Sequence, residues 1–332
     1  MHRIAQIGAG RMGSVHLHNA ALNPRLDLAL LVDPRPDAAD IAAAVGAKTA
    51  EFDAVLADPA IEGVIVAAST DTHLALVRAC LAAGKAVFCE KPLDLELASL
   101  KAAEAEFAAA KAPLFVAFNR RFDPHFRALR ARLEAGEIGE LEALQIISHD
   151  PAAPPPHFIP TSGGLFKDFT IHDFDMALWL APEPFVEIFA WASCLVDPAI
   201  AAAGDVDTAR VLLRDAKGRL TVISNTRRSG CGYDQRVEAF GSKGMASAGN
   251  PGQDAVQVWR EAGARAAPLH AGFMSRYAEA YRAEMDHFAD ILDGKAEPET
   301  GYAASVRSLA LAEAAARSVA SGGPVRLAEA AA

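Results

Sequence analysis

Short apolar runs alternating with alanine-rich stretches of helical period fill the first 118 residues. The apolar runs predict strands at Arg3–Ile7, Leu26–Val32, Val64–Ala67, Ala86–Cys89 and Leu114–Ala117. Between them, apolar positions at three- and four-residue spacing predict helices over Met12–Leu22, Thr72–Ala83 and Leu95–Ala110, with Gly84 placed as a C-cap glycine. Strand and helix in alternation are the pattern of a doubly wound parallel sheet.

The texture changes after Phe118. Leu144–Ser148, Val186–Trp191, Arg219–Ser224 and Gln235–Phe240 read as strands, several with period-two alternation and few helices between them, which predicts a second, mostly antiparallel sheet. Asp150–Pro160 holds five prolines, yet it joins a strand to a glycine pair and a helix, so it is expected to be an ordered loop rather than a linker. Helices follow over Ser275–Leu292 and Ala303–Ser321, then a polar, frayed end. The expected organisation is two domains, 1–118 and 119–332, and a chain of 332 residues is long enough to bury two cores.

Composition narrows the function classes. With 52% hydrophobic and 22% charged residues the chain is expected to fold, and a net charge of -10 argues against nucleic acid as a partner. Cys80, Cys89, Cys194 and Cys231 are widely spaced and read as buried thiols in a reducing compartment. Residues 1–7 run straight into a strand without an export signal, and no apolar run nears the roughly 20 residues of a membrane span, so a cytoplasmic location is expected.

The chemistry starts at Gly8-Ala9-Gly10-Arg11-Met12-Gly13, between the first strand and the first helix. Glycines there suit a tight turn, close approach to a pyrophosphate and close helix–strand packing, with the phosphates over the helix N-terminus. Asp33 closes the second strand 20 residues after Gly13, where a carboxylate accepts hydrogen bonds from an adenosine ribose and repels a 2′-phosphate. A Rossmann domain binding NAD is therefore expected. Arg35 leaves three readings open: a 2′-phosphate contact, adenine stacking, or exposure. Ser69-Thr70-Asp71-Thr72-His73 lies at the carboxyl edge of the sheet, as cofactor contacts or as a helix cap.

Glu90-Lys91-Pro92 ends the fifth strand, so Lys91 is placed to orient a hydroxyl and stabilise a developing alkoxide. Farther on, Asp168-Phe169-Thr170-Ile171-His172-Asp173-Phe174-Asp175 enters an apolar run. On a helix, Asp168, His172, Asp175 and Trp179 share one stripe, with Phe174, Ala177, Leu178 and Ala181 on the opposite, buried one. A carboxylate one turn from an imidazole fits a general base; a metal site and a self-capping helix that exposes His172 are the alternatives.

With these motifs in this order, the chain resembles the glucose-fructose oxidoreductase and inositol 2-dehydrogenase family. The resemblance rests on GAGRMG with Asp33, STDTH at 69–73, EKP at 90–92, FNRRFDP at 118–124, GGLFKDFTIHDFD at 163–175, GYDQR at 232–236 and RYAEAY at 276–281. It implies a Rossmann domain followed by an α+β domain with a large open sheet, an active site in the cleft between them, and a homo-oligomer, dimer or tetramer, formed through the outer sheet face. It also implies Lys91, Asp168 and His172 as the catalytic set, His172 taking the proton, and often a cis bond to Pro92. Asp150, Arg120, Asp175, Tyr233 and Tyr281 match substrate-lining positions, and Glu90 and Arg120 the nicotinamide end. The implied activity is NAD-dependent oxidation of a ring hydroxyl of a cyclic polyol. Three positions depart from the family pattern, His149, Cys231 and Lys167, and leave open which inositol or sugar is used. A dinucleotide-binding sensor without catalysis is the reading from a different class; an intact Lys91, Asp168 and His172 argues against it.

Overall fold

In a computed structural model the described residues are 1–155 and 158–327. Pro156 and His157 of the proline-rich loop and the last five positions of the expected frayed end lie outside them. The chain divides into two compact units, Met1–Phe122 with Glu279–Leu309, and Asp123–Ala278 with Ala310–Ala332. Among the described residues no helix is long and apolar enough to cross a membrane.

The first unit is built on six parallel strands: β1 His2–Ile7, β2 Leu26–Val32, β3 Lys48–Thr49, β4 Gly63–Val66, β5 Ala86–Glu90 and β6 Leu114–Ala117. Their order, β3-β2-β1-β4-β5-β6, is the doubly wound order expected of a Rossmann domain. The central strands are buried on both faces, which is why they read as unbroken apolar runs rather than alternating ones. The expected helix over Leu95–Ala110 is two helices, Leu97–Ala102 and Glu104–Ala109, meeting at Ala103. The Ala278–Leu292 helix joins this unit, setting Phe288 edge-on against Phe88 of β5 at a centroid distance of 5.8 Å.

The second unit carries β7 Leu141–His149, β8 Phe185–Ser193, β9 Thr208–Asp215, β10 Leu220–Thr226, β11 Asp234–Gly241 and β12 Gly244–Ala248, and beyond these the hairpin β13 Gln257–Arg260 and β14 Gly263–Ala266, then β15 Val325–Arg326. Seven of them form one sheet in the order β12-β11-β7-β10-β9-β8-β15, antiparallel except for the β7–β10 pair. β9 is absent from the sequence expectation. Its alternation is real, with Ala209, Val211 and Leu213 buried and Arg210 and Arg214 outward, but Leu212 among the outward positions interrupts it.

One face of this sheet is buried through Ile146, Val211, Leu213, Ile223 and Val237. The other leaves Trp191, Leu212, Leu220, Val222, Phe240 and Met245 exposed. Two expectations need correction. Cys231 is exposed and Cys194 half-buried, because both sit in loops rather than in strand cores; only Cys80 and Cys89 are buried thiols. Leu178 and Ala181 are half-exposed, while Asp175 and Trp179 of the supposed polar stripe are buried. The reason is that the helix Ile171–Leu180 is buried on nearly every side, with only His172 and Leu178 half-exposed, so it has no solvent-facing stripe; a π-helical turn over Phe166–Thr170 also takes Asp168 out of its register.

Truncating Phe288 to alanine removes a fully buried ring between β4 and β5 and is expected to lower stability by about 3–5 kcal/mol in urea denaturation.

Candidate active site

The loop after β1 is shaped by close backbone contact. Gly8 has φ +90°, and a Cβ there would lie 2.4 Å from the Ala67 carbonyl oxygen; one on Gly13 would lie 2.4 Å from the Gly8 carbonyl oxygen. Only glycine fits either place. Buried Gln6 donates from Nε2 to the carbonyls of both Gly8 and Gly13 at 2.8 Å, tying the two ends of the loop together. Above Gly10 a Cβ would meet nothing within 4 Å. The Arg11–Leu22 helix that follows has no side-chain cap and no acid in its first turn. Open space before a helix N-terminus that carries no side-chain cap fits a pyrophosphate.

Asp33 accepts the Ala9 amide at 2.7 Å and the Arg35 amide at 2.9 Å. Burial pushes its carboxyl up, but the hydrogen bonds from Arg35 and Ala9 outweigh this and hold it below the usual carboxylate range. It therefore presents a fixed negative charge where a ribose is expected. Arg35 is exposed, one of the three forms left open by the sequence alone, and it also bonds to the loop. Its Nε donates to Asp33 at 3.0 Å and its Nη2 to the Ala9 carbonyl at 2.6 Å, so the guanidinium braces the loop. Ser69 is exposed and Thr70 begins a short 3₁₀ turn, while His73 is buried with Nδ1 2.8 Å from the Pro92 carbonyl. Burial lowers the pKa of His73, so it is a neutral brace for the Lys91-Pro92 segment. The Lys91–Pro92 bond is cis.

Glu90 ends β5 buried, its Oε1 2.6 Å from His16 Nε2 and its Oε2 accepting the Lys91 amide at 3.2 Å. Lys91 is half-buried, and Arg120, in a 3₁₀ turn over Asn119–Phe122, is buried. Tyr281 is also buried in this unit, edge-on to His16 at 6.1 Å.

In the second unit the π-helical turn places Asp168, and the helix places His172, Asp173 and Asp175. A buried polar network bolts this segment to the sheet. Asp173 accepts Ser148 Oγ of β7 at 2.5 Å and Asn225 Nδ2 of β10 at 2.7 Å, and Thr170 Oγ1 donates to Asn225 at 2.8 Å. Beyond the end of β10, Arg227 is buried and reaches two carboxylates, with Nη1 3.0 Å from Asp150 and Nη2 2.9 Å from Asp168. Its guanidinium lies over the Phe169 ring at 4.9 Å. Burial works against its charge, but Asp168 and Asp150 more than compensate, and the guanidinium is held firmly protonated. Asp175 and Tyr233 are buried, Tyr233 with its ring 5.9 Å from Tyr277.

Within the first unit the structure thus links Gly8–Gly13 with Asp33 and Arg35, and Glu90 and Lys91 with His73 through Pro92; within the second Arg227 joins Asp150 to Asp168, and His172 lies on the helix that follows. Three contributors escaped the sequence reading: Gln6, His16 and Arg227. Gln6 is a polar residue inside a buried strand, and Arg227 is half of an Arg-Arg pair just past a strand, so both left a signal; His16 did not stand out on an amphipathic helix. His149, one of the departures, pairs through Nδ1 with Asp234 at 3.1 Å and through Nε2 with Ser224 at 3.0 Å.

Comparisons with known proteins agree on a family. The family model for the oxidoreductase family with an NAD-binding Rossmann fold matches residues 2–118, and that for the GFO/IDH/MocA C-terminal domain matches 126–247. The chain is 44% identical over 319 residues to inositol 2-dehydrogenase of Rhizobium meliloti (strain 1021), covering 96% of this chain and 97% of that protein. It is 42% identical over 316 residues to myo-inositol 2-dehydrogenase of Thermotoga maritima, covering 91% and 95%. The crystal structure of a myo-inositol dehydrogenase from Corynebacterium glutamicum superposes with a TM-score of 0.94 at 40% identity, covering 99% of both chains. A Rossmann unit with a tight glycine loop after β1, matched by the NAD-binding family model over residues 2–118, and relatives at 42–44% identity make this chain an NAD-dependent oxidoreductase of the GFO/IDH/MocA family.

Proposed function

We propose that the chain oxidises a ring hydroxyl of a cyclic polyol, myo-inositol at C2, as an inositol 2-dehydrogenase, with residues 1–118 and Arg120 serving the cofactor and the rest of 119–332 the substrate. The observation that carries this reading is the Asp150–Arg227–Asp168 clamp. Two carboxylates paired with one buried guanidinium offer acceptor oxygens to a ligand rich in hydroxyl groups. The three groups together leave one negative charge, which disfavours anionic substrates and tolerates neutral ones. The names of the relatives at 42% and 44% identity support the same substrate class.

When bound, NAD supplies the hydride acceptor, held by Gly8, Ala9, Gly10, Arg11, Met12 and Gly13 at the pyrophosphate, by Asp33 at the ribose with Arg35 bracing it, and by Ser69, Thr70, His73, Glu90 and Arg120 nearer the nicotinamide. His172 takes the hydroxyl proton. Asp168, fixed by Arg227, orients the substrate beside the imidazole that follows it by four positions. Lys91 donates to the hydroxyl oxygen and steadies the charge that develops as the proton leaves. Asp150, Asp175, Tyr233 and Tyr281 read the remaining hydroxyls, and a polar site of this kind rejects analogues that lack them.

The exposed apolar face of the seven-stranded sheet supports assembly into a homo-oligomer, a dimer or tetramer. Leu212 and Val222 are cross-strand neighbours on it, and Phe240 pairs with Met245. Scattered exposed apolar side chains are ordinary, whereas a contiguous sheet face is the signature of an interface.

With myo-inositol and NAD, reduced cofactor is expected to accumulate, and His172→Ala is expected to reduce kcat at least about a hundredfold. In a panel of inositols, aldoses and amino sugars, kcat/KM is expected to be highest for an inositol; an aldose in first place moves the substrate, and NAD binding without turnover of any of them leaves a sensor. Arg227→Met removes the charge but keeps the length, and is expected to lower kcat/KM for the polyol by about tenfold or more while NAD binding persists. In light scattering, Val222→Glu is expected to shift the chain toward monomer.

A further inference from the structure

The first unit contains a titratable cluster that the reaction above leaves unused. Glu284, on the Ala278–Leu292 helix, is fully buried, and neither of its carboxyl oxygens has a hydrogen-bond partner among the described residues. The charge that acts on it is Glu90, at the end of β5. Glu90 is bonded on one oxygen to His16 Nε2 at 2.6 Å and on the other to the Lys91 amide at 3.2 Å. His16 is itself fully buried, with Nδ1 unpartnered. Its ring stands edge-on to Phe88 of β5 and to Tyr281, one turn before Glu284. Lys91 and His73 complete the titratable groups that act on Glu90.

Two buried carboxyls that act on each other do not readily both ionise; the one with hydrogen bonds and a cation keeps its charge and the other keeps a proton. Burial drives the Glu284 carboxyl well above its ordinary range, and the Glu90 charge adds to this. Burial pushes Glu90 up as well, but the His16 hydrogen bond and the electrostatic pull of His16 and Lys91 reverse the balance and hold it low. The proton therefore resides on Glu284 and the negative charge on Glu90, where it secures the Lys91 backbone.

We propose that Glu284 is a positioning residue: a neutral acid behind Glu90 that lets Glu90 remain an anion and so fixes the Lys91 segment at the cofactor-facing edge of the sheet. The proposal rests on the reading of Lys91 as facing the cofactor. Loss of the Glu284 proton sets a second negative charge beside Glu90, which relaxes the grip on Lys91 and weakens the hold on NAD.

The test is a calorimetric titration of the full chain with NAD from about pH 6.5 to 9.5, in the wild type and in Glu284→Gln, which carries the neutral form permanently. The wild-type dissociation constant is expected to rise about fivefold or more toward the alkaline end, about one pKa unit of coupling or less, while that of Glu284→Gln changes less than about twofold. Superimposable pH profiles overturn the proposal. Infrared spectra supply the proton directly: a protonated-carboxyl band at neutral pH in the wild type that Glu284→Gln lacks is expected, and identical bands overturn it. Should the amide variant fail to fold, Glu284→Met, similar in length and without charge, serves in the same titration. Because NAD binding is read without a polyol, a chain that shows the expected profile but oxidises no polyol overturns the substrate reading alone.

Sign and window for stability follow from the same proton. A carboxyl raised in the folded chain contributes fully below the unfolded carboxyl range and loses that contribution as pH rises through its raised value. The melting temperature of the wild type is therefore expected to fall relative to Glu284→Gln as pH rises, and a constant difference overturns the assignment of the proton.

Discussion

The second unit's candidate chemistry depends on one buried cation. Arg227 holds Asp150 at the end of β7 and Asp168 in the π-helical turn on opposite arms of a single planar group. Without it, two carboxylates from different elements would repel each other and turn toward water. The polar bolt formed by Ser148, Asn225, Thr170 and Asp173 fixes the same turn from below, so the segment is held both by charge and by neutral hydrogen bonds. A widened helical turn is costly to keep unless its surroundings over-determine it, and here they do.

Much of the first unit was legible because its physics is local. Strands buried on both faces must be apolar runs, and a parallel sheet must return each strand through a helix, so β1, β2, β4, β5 and β6 announced themselves. The second unit was harder for the opposite reason. Its strands face a core on one side only, and where the outer face is itself apolar, as at Leu212 beside Leu213, the period-two signal vanishes. β9 was lost for this reason. The π turn was invisible too, since an inserted residue changes the angle at which side chains leave the helix without changing their spacing in the sequence.

The site was legible where the chemistry demands a residue type and dark where it demands a partner. Glycine at 8 and 13 is forced by backbone atoms 2.4 Å away, and that requirement shows in the sequence as a motif. Arg227, His16 and Glu284 are defined by what surrounds them, and the companions lie 59 positions away for Arg227 and Asp168 and 74 for His16 and Glu90. Arg35 illustrates the difference. Its neighbourhood in the sequence offered a phosphate, an adenine or solvent, and the fold leaves it exposed while adding bonds to the loop's own carbonyl and carboxylate, which no spacing announces.

Gln6 is a small feature with a wide effect. A side chain rooted in the middle of a sheet, bonded to both ends of the glycine loop, means that the loop's shape is stored in the rigid part of the molecule rather than acquired on contact. A nucleotide then meets a finished mould. Little chain freedom is surrendered on docking, so the interactions with the phosphates pass almost undiminished into affinity.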